Sequence, residues 1–597
     1  MPKRVLVITE KPSSARRIAV ALDENHKPNR AQYGKVSFYV SMRDGAELIV
    51  VSAVGHLYTI VQTKGGWTYP VFDIKWVPSH KVDKRSSYTK PYLNAIINLG
   101  ENVDEVVSAC DYDQEGSLIA FNIIKHGLGD VAVGKSRRML FSTLTEDELA
   151  RSWENRTKTL DYPVIAAGKV RHEADWLYGI NMSRALTLSA KRFGEKKTLS
   201  TGRVQGPALK FVYDLEARVN TFVPIPYWKV SAETQINDET YPLEYCKPRL
   251  EREVHAKQVA ENCRGKLGLI TGVKSEEEKA SPPAPFNLGD LQQESYRIFK
   301  HSPSVTLKIA EKLYLSALIS YPRTNSQRIP SSIDIKTILS DLGKNPKYSE
   351  LVDSLVKAKR FKPKQGKKDD PAHPAIHPTG NKPGRLKPEE LDVYDLVTKR
   401  FLASLGKPAV KARSVVDVDV NNHLFFMKGE HTLDPGWTSL YAPYVKSKEV
   451  HLPVVSVGQI IPITKLSTRR NYTKPPNRFT STSLIRKMED EGIGTKATRS
   501  NIVDTLYRRD YIRGQKIAIT DLGSNVIETL SEYGPDIIDV KLTKTLEGML
   551  DEIQAGNVEP DFVIDDTVQT LESILTRFKE KEHEIAVTLG RVSEEKI

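Results

Sequence analysis

A tyrosine and an arginine two residues apart, Tyr321 and Arg323, carry the first chemistry that this sequence indicates. Pro322 between them cannot donate a backbone hydrogen bond and favours an extended conformation at Tyr321. In an extended chain the two side chains share a face, so we expect the phenol at an edge rather than in a core. A phenol oxygen beside a phosphate-holding guanidinium suits covalent attack on a phosphodiester. By itself, the string is also typical of a strand end with a half-buried tyrosine.

Four acidic residues follow two strands that the sequence predicts near its N-terminus. These residues are Glu10, Asp111, Asp113 and Glu115. The β-branched, apolar runs Arg4–Thr9 and Asp104–Cys110 predict the strands, and open α/β sheets place ligands at such strand ends. Carboxylates there can hold a hydrated Mg²⁺ through one or two direct ligands and several waters. We favour this metal site over a solvated acidic turn at a helix N-terminus.

One motif match is rejected as a nucleotide site. The segment Gly129–Ser136 fits the pattern G-x-x-x-x-G-K-[ST] of a phosphate-binding loop. A working loop of this kind has a strand before it and a helix after it. Here the pattern predicts a helix before the segment and a strand behind it. We therefore expect no ATP binding at Gly129–Ser136.

Residues 146–220 are predicted to be helical and basic, with polar side chains that could line a ligand groove. Gly202 and Gly206 bracket a loop in which the backbone can approach a ligand closely. Arginine, serine and glutamine are common contacts to phosphate and sugar. The residues of interest are Arg171, Asp175, Arg184, Ser200, Arg203 and Gln205.

The composition is that of a globular protein, and its excess of positive charge suggests a polyanionic partner, although many basic proteins bind none. Its 597 residues predict several domains, and 88 Lys and Arg against 75 Asp and Glu give a formal charge of +13. The three cysteines form no C-x-x-C pair, so neither a cysteine zinc site nor a disulfide framework is expected. The N-terminus turns polar too early for a signal peptide, and no apolar run approaches membrane-spanning length. These features predict a cytoplasmic protein.

The pattern along the chain predicts an insertion. Short alternating strands are expected from residue 221 to about 280 and again from about 409 to 474. The intervening segment, which contains Tyr321, is predicted to be helical. Near the C-terminus, Ser483–Glu489 and Lys496–Tyr507 flank a glycine-rich turn in the manner of a helix-turn-helix, with Arg513–Thr520 as a wing.

Taken together, these strings resemble the type IA DNA topoisomerases, in family order over nearly the whole chain. The likeness to the archaeal form of topoisomerase III is greater than to bacterial topoisomerase I. The matching strings are Glu10-Lys11-Pro12-Ser13, Gly55-His56-Leu57, Asp111-x-Asp113-x-Glu115-Gly116, Gly202-Arg203-Val204-Gln205, Pro285-Phe286-x4-Leu291-Gln292-Gln293-Glu294, Ile319-Ser320-Tyr321-Pro322-Arg323-Thr324, His373-Pro374-Ala375-Ile376-His377-Pro378 and Gly492-Ile493-Gly494-Thr495-x-Ala497-Thr498-Arg499.

The resemblance implies a multi-domain fold of α/β, α and β parts that forms a toroid. A Toprim α/β domain is expected over residues 1–145. A helical, winged-helix-like, DNA-binding domain is expected from 146–220 together with 475–597. A β-rich arch is expected from 221–280 together with 409–474, and the inserted domain with the tyrosine over 281–408.

The resemblance also implies roles for individual residues. Tyr321 would attack DNA and form a 5′-phosphotyrosine bond, with Arg323 and Lys11 on the phosphate, Glu10 at the 3′ oxygen and His373 near the scissile bond. Mg²⁺ would be the cofactor and a single-stranded DNA segment the substrate. No ATP would be needed, and the enzyme would act as a monomer. The metal ligands would be Glu10, Asp111, Asp113 and Glu115, and the groove would be lined by Arg171, Asp175, Arg184, Ser200, Arg203, Gln205, Thr498 and Arg499.

Two other functions share part of this pattern. A Toprim nuclease or primase would have the acidic cluster but would not require Tyr321. A non-catalytic protein that binds single-stranded DNA would have the basic charge but not the acids at strand ends.

Overall fold

The computed structural model describes residues 2–192, 198–445 and 449–594, with side chains described as far as residue 589. We use the predicted boundaries to name four regions. They are the N-terminal domain (2–145), the helical domain (146–220 with 475–594), the barrel domain (221–280 with 409–474) and the inserted domain (281–408).

The N-terminal domain is built on a six-stranded sheet in the order β2-β3-β4-β1-β7-β8. Strands β4, β1, β7 and β8 run parallel, and β2 and β3 add an antiparallel edge. The mostly parallel sheet predicted from the sequence is therefore confirmed. Its elements are β1 (Lys3–Thr9), α1 (Pro12–Leu22), β2 (Asn29–Tyr33), β3 (Val36–Arg43), β4 (Ala46–Ser52), β5 (Tyr58–Gln62), β6 (Ile74–Pro78), α2 (Thr89–Leu99), β7 (Glu105–Ala109), α3 (Gln114–Ile123), α4 (Asp130–Gly134) and β8 (Ser136–Arg138).

Register in this sheet brings the two acidic segments together. Thr9, at the end of β1, pairs with Ala109, at the end of β7. Both strands are buried on both faces, as expected for parallel strands covered by helices. The segments that begin at Glu10 and Asp111 therefore leave the sheet side by side.

The turn from β7 into α3 is tightly constrained. Asp113 caps α3, since its Oδ1 accepts a hydrogen bond of 2.8 Å from the Gly116 backbone N–H. A Cβ atom on Gly116 would lie 2.2 Å from the Asp111 carbonyl oxygen, so only glycine fits there. The buried Arg138 guanidinium donates to that same carbonyl at 2.7 Å and to Ser108 Oγ at 2.6 Å. These contacts fix the carboxylates relative to the sheet.

The segment Gly129–Ser136 has the local structure predicted for it. A π-helical turn, Ile124–Leu128, precedes it, and α4 and then β8 form within and after it. The strand-loop-helix order of a phosphate-binding loop is not present at this segment.

The barrel domain is a closed barrel in the order β10-β13-β12-β11-β14-β9. The prediction of short strands was wrong, because most strands have 11 to 14 residues, a length that lets them cross the barrel obliquely. The elements are β9 (Pro226–Ile236), β10 (Glu239–Tyr245), α8 (Glu253–Cys263), β11 (Leu267–Ala280), β12 (Ala409–Val420), β13 (His423–Asp434), α14 (Trp437–Leu440) and β14 (Ile460–Tyr472).

The inserted domain and the helical domain are formed mainly by helices. Tyr321 lies in an irregular segment after α10, where Ile319 forms an isolated bridge with Pro378. The inserted helices are α9 (Leu288–Phe299), α10 (Pro303–Leu315), α11 (Ile335–Gly343), α12 (Ser349–Lys357) and α13 (Pro388–Leu405). The helical domain contains α5 (Glu146–Glu154), α6 (Tyr162–Lys191), α7 (Gln205–Asn220), α15 (Ser481–Asp490), α16 (Arg499–Arg508), β15 (Ile512–Arg513), β16 (Ala518–Ile519), α17 (Asp521–Tyr533), α18 (Val540–Ala555), α19 (Pro560–Glu580) and α20 (Glu582–Glu594).

The predicted helix-turn-helix and wing match α15, α16 and the β15–β16 hairpin. Leu484, Met488, Val503 and Leu506 are buried in the same core as α7 and α17. This unit is thus packed into the helical domain rather than standing apart from it.

Replacing Gly116 with alanine tests the constrained turn. We expect Gly116→Ala to lower the free energy of unfolding by about 1–3 kcal/mol, because the new Cβ must displace backbone. The matched control is Gly548→Ala in α18, where a Cβ would meet nothing within 4 Å and helix propensity favours alanine. Chemical unfolding measures both variants, and equal stability of the two would contradict the argument.

Candidate active site between the N-terminal and inserted domains

Tyr321 lies at the contact between the inserted and N-terminal domains. Its phenol O–H donates to Asp113 Oδ2 at 2.6 Å, and its backbone N–H donates to the Ser142 carbonyl at 2.7 Å. The expectation that the phenol stands at an exposed edge was wrong, because the residue is 2% exposed. Its ring packs against Tyr314 and His373, with centroids 5.1 and 4.5 Å away.

The surroundings of Tyr321 keep its phenol protonated. Burial, and then the negative charges of Asp113 and Asp111, raise the pKa of Tyr321 well above its usual value of 10.0. A neutral phenol is a weak nucleophile and needs a base to take its proton. Asp113 is already within hydrogen-bond distance of that proton.

Arg323 shares a face with Tyr321, as predicted from the extended chain. Its Nε donates to Glu311 Oε1 at 2.9 Å, and its Nη1 lies 3.9 Å from the Asp113 Oδ2 that accepts from Tyr321. Burial opposes its charge, but Tyr321, Glu311 and Asp113 outweigh burial and raise the pKa of Arg323. A permanent cation therefore lies beside the phenol oxygen.

Lys11 lies between two of the predicted metal ligands. Its Nζ is 3.3 Å from Glu10 Oε1 and 3.6 Å from Asp111 Oδ2. Burial opposes the charge of Lys11, but Glu10, Asp111 and Glu311 outweigh it and raise the pKa of Lys11. Lys11 is therefore the cation that balances these carboxylates.

Asp111 is the most strongly perturbed of the acids. Burial, followed by the charge of Glu10, raises the pKa of Asp111 to about 8. Tyr314 donates to Asp111 Oδ1 at 3.2 Å from the inserted domain. Buried carboxylates that repel each other in this way are typical of sites where a cation binds.

The predicted metal ligands do not all lie together. Glu10 and Asp111 meet at Lys11, and Asp113 faces Tyr321 and Arg323. Glu115 turns away, with its Oε2 2.8 Å from His56 Nε2. Mg²⁺ requires only one or two direct carboxylate ligands, so the oxygen donors of Glu10, Asp111 and Asp113 fit it without Glu115.

His373 links the two domains through both ring nitrogens. Nε2 is 2.7 Å from the Tyr112 carbonyl oxygen, and Nδ1 is 3.0 Å from Ser142 Oγ. A carbonyl only accepts, so Nε2 carries the proton and Nδ1 accepts from the Ser142 hydroxyl. Burial, and then the charge of Lys496, lowers the pKa of His373 to about 4.

The predicted groove residues on α6 and the following loop are largely paired with one another or with Glu547. Arg171 and Arg203 both donate to Glu547, at 2.9 and 2.8 Å, and Arg203 also pairs with Asp175. Arg203 is only 2% exposed. These arginines form a buried network at the base of α6 and α18 rather than an open basic face.

The remaining groove residues make local hydrogen bonds. Arg184 donates to Gln62 Oε1 at 2.6 Å and to the Thr68 carbonyl at 2.8 Å. Gln205 Nε2 donates to the Ser200 carbonyl at 3.0 Å, Thr498 Oγ1 accepts from the Thr495 N–H at 3.0 Å, and Arg499 Nε donates to the Ile493 carbonyl at 3.0 Å. The Ser200 side chain is half-buried beside Gln205.

Several residues of this site had no signal in the sequence analysis. Glu311 and Tyr314 lie on α10, one helical turn apart, and reach Arg323 and Asp111. Lys496 Nζ lies 2.5 Å from Asp370 Oδ2 and joins the helical and inserted domains. A sequence signal for such partners is their position beside a motif: Asp370, for example, lies shortly before the motif that begins at His373.

Comparison with known proteins assigns the family. A family model for DNA topoisomerase matches residues 159–565, and a Toprim domain model matches residues 5–143. The chain is 41% identical to DNA topoisomerase 1 of Pyrococcus horikoshii over 98% of this chain and 86% of that protein. It is 38% identical to DNA topoisomerase 1 of Methanothermobacter thermautotrophicus over 98% of this chain and 80% of that protein.

The chain belongs to the type IA DNA topoisomerases. A solved structure of full-length topoisomerase I from Thermotoga maritima has the same fold, with a TM-score of 0.73 and 22% identity over 96% of this chain and 90% of that chain. The predicted Toprim domain and mixed fold are confirmed, and so is the assignment as a DNA isomerase. The placement nearer to topoisomerase III stays a prediction.

The two alternative functions are not supported by these matches. A Toprim nuclease or primase would account for residues 5–143 but not for the DNA topoisomerase match over 159–565. A non-catalytic DNA-binding protein would account for neither. Among the residues that the structure describes, no helix combines the length and apolarity needed to cross a membrane.

The neutral His373 predicts acid sensitivity of this topoisomerase. The pKa of His373 lies below the usual 6.5, so the unfolded chain takes up the proton first. The stability that depends on neutral His373 is complete above pH 6.5 and is lost as the pH falls towards about 4. We expect a melting temperature that falls over this window, and a smaller fall in His373→Gln, whose amide can still donate to Tyr112.

His431→Gln on the barrel domain is the matched control and should keep the wild-type slope. Thermal unfolding between pH 7 and pH 4 measures all three proteins. Identical slopes for His373→Gln and the wild type would show that another group titrates.

Proposed function

We propose that this type IA topoisomerase cuts one DNA strand through a covalent 5′-phosphotyrosine at Tyr321, passes a strand through the opening and religates the cut. The observation that carries the proposal is the 2.6 Å hydrogen bond from the Tyr321 phenol to Asp113, with Arg323 beside both. A nucleophile, its base and a phosphate-binding cation thus lie at one point of contact between two domains. The outcome is relaxation of negative supercoils, decatenation, or both.

In the cleavage step the Tyr321 oxygen attacks phosphorus while its proton passes to Asp113. Arg323 holds the phosphate oxygens, and Lys11 supports them from the N-terminal domain. The bond from phosphorus to the 3′ oxygen breaks at Glu10, and the leaving oxygen takes a proton from the Lys11 ammonium that pairs with Glu10. In religation Lys11 takes the proton back, the 3′ oxygen attacks phosphorus, and Tyr321 recovers its proton from Asp113.

His373 positions the nucleophile in this proposal. Its ring packs on Tyr321, and its two hydrogen bonds tie the ring to Ser142 and Tyr112 of the Toprim domain. A neutral imidazole with its proton on Nε2 cannot compete with Arg323 for the phosphate as a cation would. The ring thereby holds the phenol towards Asp113.

Mg²⁺ is the cofactor that we propose, held by Glu10, Asp111 and Asp113 with Glu115 as a predicted fourth ligand. When bound, it would neutralise these carboxylates and help to place the DNA backbone. The raised pKa of Asp111, caused by burial and by Glu10, supports the need for an additional cation beside Lys11.

The proposed substrate is a single-stranded segment of DNA, bound with little sequence preference. The groove residues Arg171, Asp175, Arg184, Ser200, Arg203, Gln205, Thr498 and Arg499 stay predictions for its contacts. Because Arg203 and Arg171 are paired with Glu547, DNA must displace part of that network to reach them. We propose that the enzyme acts as a single chain, in the cytoplasm at the nucleoid. It needs no ATP, because the phosphotyrosine bond retains the energy of the cleaved bond.

Tyr321→Phe tests the nucleophile. We expect binding of single-stranded DNA to persist and the covalent adduct on a denaturing gel to disappear, because the attacking oxygen is gone. The matched control is Tyr314→Phe, which removes another buried phenol bonded to an acid of the same site but leaves the nucleophile. Adduct formation at the wild-type level by Tyr321→Phe would contradict the proposal.

The double variant Asp111→Ala with Asp113→Ala tests the metal ligands. We expect Mg²⁺-dependent cleavage to fall at least about 100-fold, because both a ligand and the base for Tyr321 are lost. Asp130→Asn, an exposed acid of the same domain, is the control. Cleavage assays over a series of Mg²⁺ concentrations measure the loss, and an unchanged requirement for Mg²⁺ would show that the cluster is structural.

A further inference from the structure

Three side chains from separate elements converge near the start of α3. They are His56 after β4, Glu115 in the first turn of α3, and His172 on α6. One ligand atom from each lies within 4.8 Å of those of the other two. Among the described residues, this is the one group of three histidine, cysteine or acidic side chains that meets this spacing.

The framework around these three side chains holds them in place. A Cβ on Gly168 would lie 3.3 Å from the Gln114 carbonyl oxygen, so α6 passes close to α3 just before His172. The His172 ring packs between those of His56 and Trp76, with centroids 5.4 and 5.2 Å away. The Trp76 indole N–H is held by Glu173 Oε1 at 2.9 Å.

The donor atoms suit a different ion from Mg²⁺. Two imidazoles and one carboxylate are a common ligand set for Zn²⁺, whereas Mg²⁺ prefers oxygen alone. Ligands about 2.1 Å from Zn²⁺ lie roughly 3.4 Å apart in a tetrahedral site, so modest side-chain rotations would close this group. Among the described residues, the ion pair that Glu115 makes is with His56.

We propose that His56, Glu115 and His172 form a binding site for a divalent transition metal of the Zn²⁺ class, separate from the carboxylates around Lys11. The three ligands leave a fourth position open to water. One consequence rests on the proposed function: an ion here holds Glu115 away from Asp113 and the Mg²⁺ ligands. We therefore expect Zn²⁺ to inhibit DNA cleavage.

Binding is tested without any activity measurement by titrating the chelator-treated, full-length protein with Co²⁺. We expect visible d–d absorption of a single site with nitrogen and oxygen ligands, no thiolate charge-transfer band, and displacement by Zn²⁺. His172→Ala should lose about 10-fold or more in Co²⁺ affinity. His431→Ala is the matched control. The rings of His431 and His451 are 5.1 Å apart and Glu449 pairs with His451, but among the described residues these side chains do not form a group with all ligand atoms within 4.8 Å of one another.

His172→Gln serves as a second variant if His172→Ala unfolds, since it keeps side-chain volume but loses the imidazole. Wild-type affinity in both variants, a thiolate band, or no Co²⁺ binding would each overturn the metal site. In a second arm, cleavage is measured with and without Zn²⁺ at fixed Mg²⁺, each protein relative to its own uninhibited rate. Zn²⁺ inhibition of the wild type that is reduced in His172→Ala supports the consequence.

The two arms separate the possible failures. Co²⁺ binding that depends on His172, without inhibition by Zn²⁺, would keep the site and overturn only its effect on cleavage. A chain without cleavage activity would refute the proposed function while leaving the Co²⁺ result to decide the metal site.

Discussion

The hydrogen bond between Tyr321 and Asp113 is the interaction on which the site depends, because it joins the two domains at the proposed nucleophile. The same aspartate caps α3 with its other oxygen. Its position is therefore set by the Toprim sheet, while the phenol comes from the inserted domain. The proposed nucleophile and its proposed base are brought together only when these two domains are in contact.

Burial at this contact has an electrostatic consequence. Glu10, Asp111 and Asp113 lie with Lys11 and Arg323 in a region where water screens charge poorly. Each charge is tolerated because a partner of opposite sign lies close by, and the raised pKa of Asp111 shows that the compensation is incomplete. In the proposed reaction a DNA phosphate would pair with Lys11 and Arg323, and its negative charge would make the binding of a further cation more favourable.

The contact between the N-terminal and inserted domains combines buried apolar side chains with polar bonds. One hydrophobic cluster includes Phe141 and Leu144 of the N-terminal domain as well as Leu313 and Leu318 of the inserted domain. Arg17 donates to the carbonyls of Leu315 and Ser316 at 2.7 Å, and Ser142 bonds to His373. Lys496 and Asp370 add an ion pair between the helical and inserted domains. Water or DNA can replace such polar bonds when the domains separate, whereas the apolar part of the contact adds a cost that grows with the area exposed.

The sequence by itself determined the family, the Toprim sheet and the insertion of a helical domain into a β domain, and it predicted Tyr321 with Arg323 as the reactive pair. These follow from motifs and hydrophobic periodicities that extend over a few residues. The placement of Glu10 and Asp111 after neighbouring strands follows from the topology of the sheet. The lengths of the barrel strands were predicted less well, because the local alternation of residues does not show over how many residues a strand pairs with a distant partner.

Only the tertiary structure decided which groups meet. Whether Tyr321 is exposed depends on the docking of two domains, a contact between residues about 200 positions apart that local patterns do not encode. The same holds for Glu115, which the spacing of the acids grouped with Asp111 but which the packing of α6 against α3 places beside His56 and His172. The sequence gives the chemical type of each side chain, whereas the tertiary structure determines the partners that set its protonation state and ligand geometry.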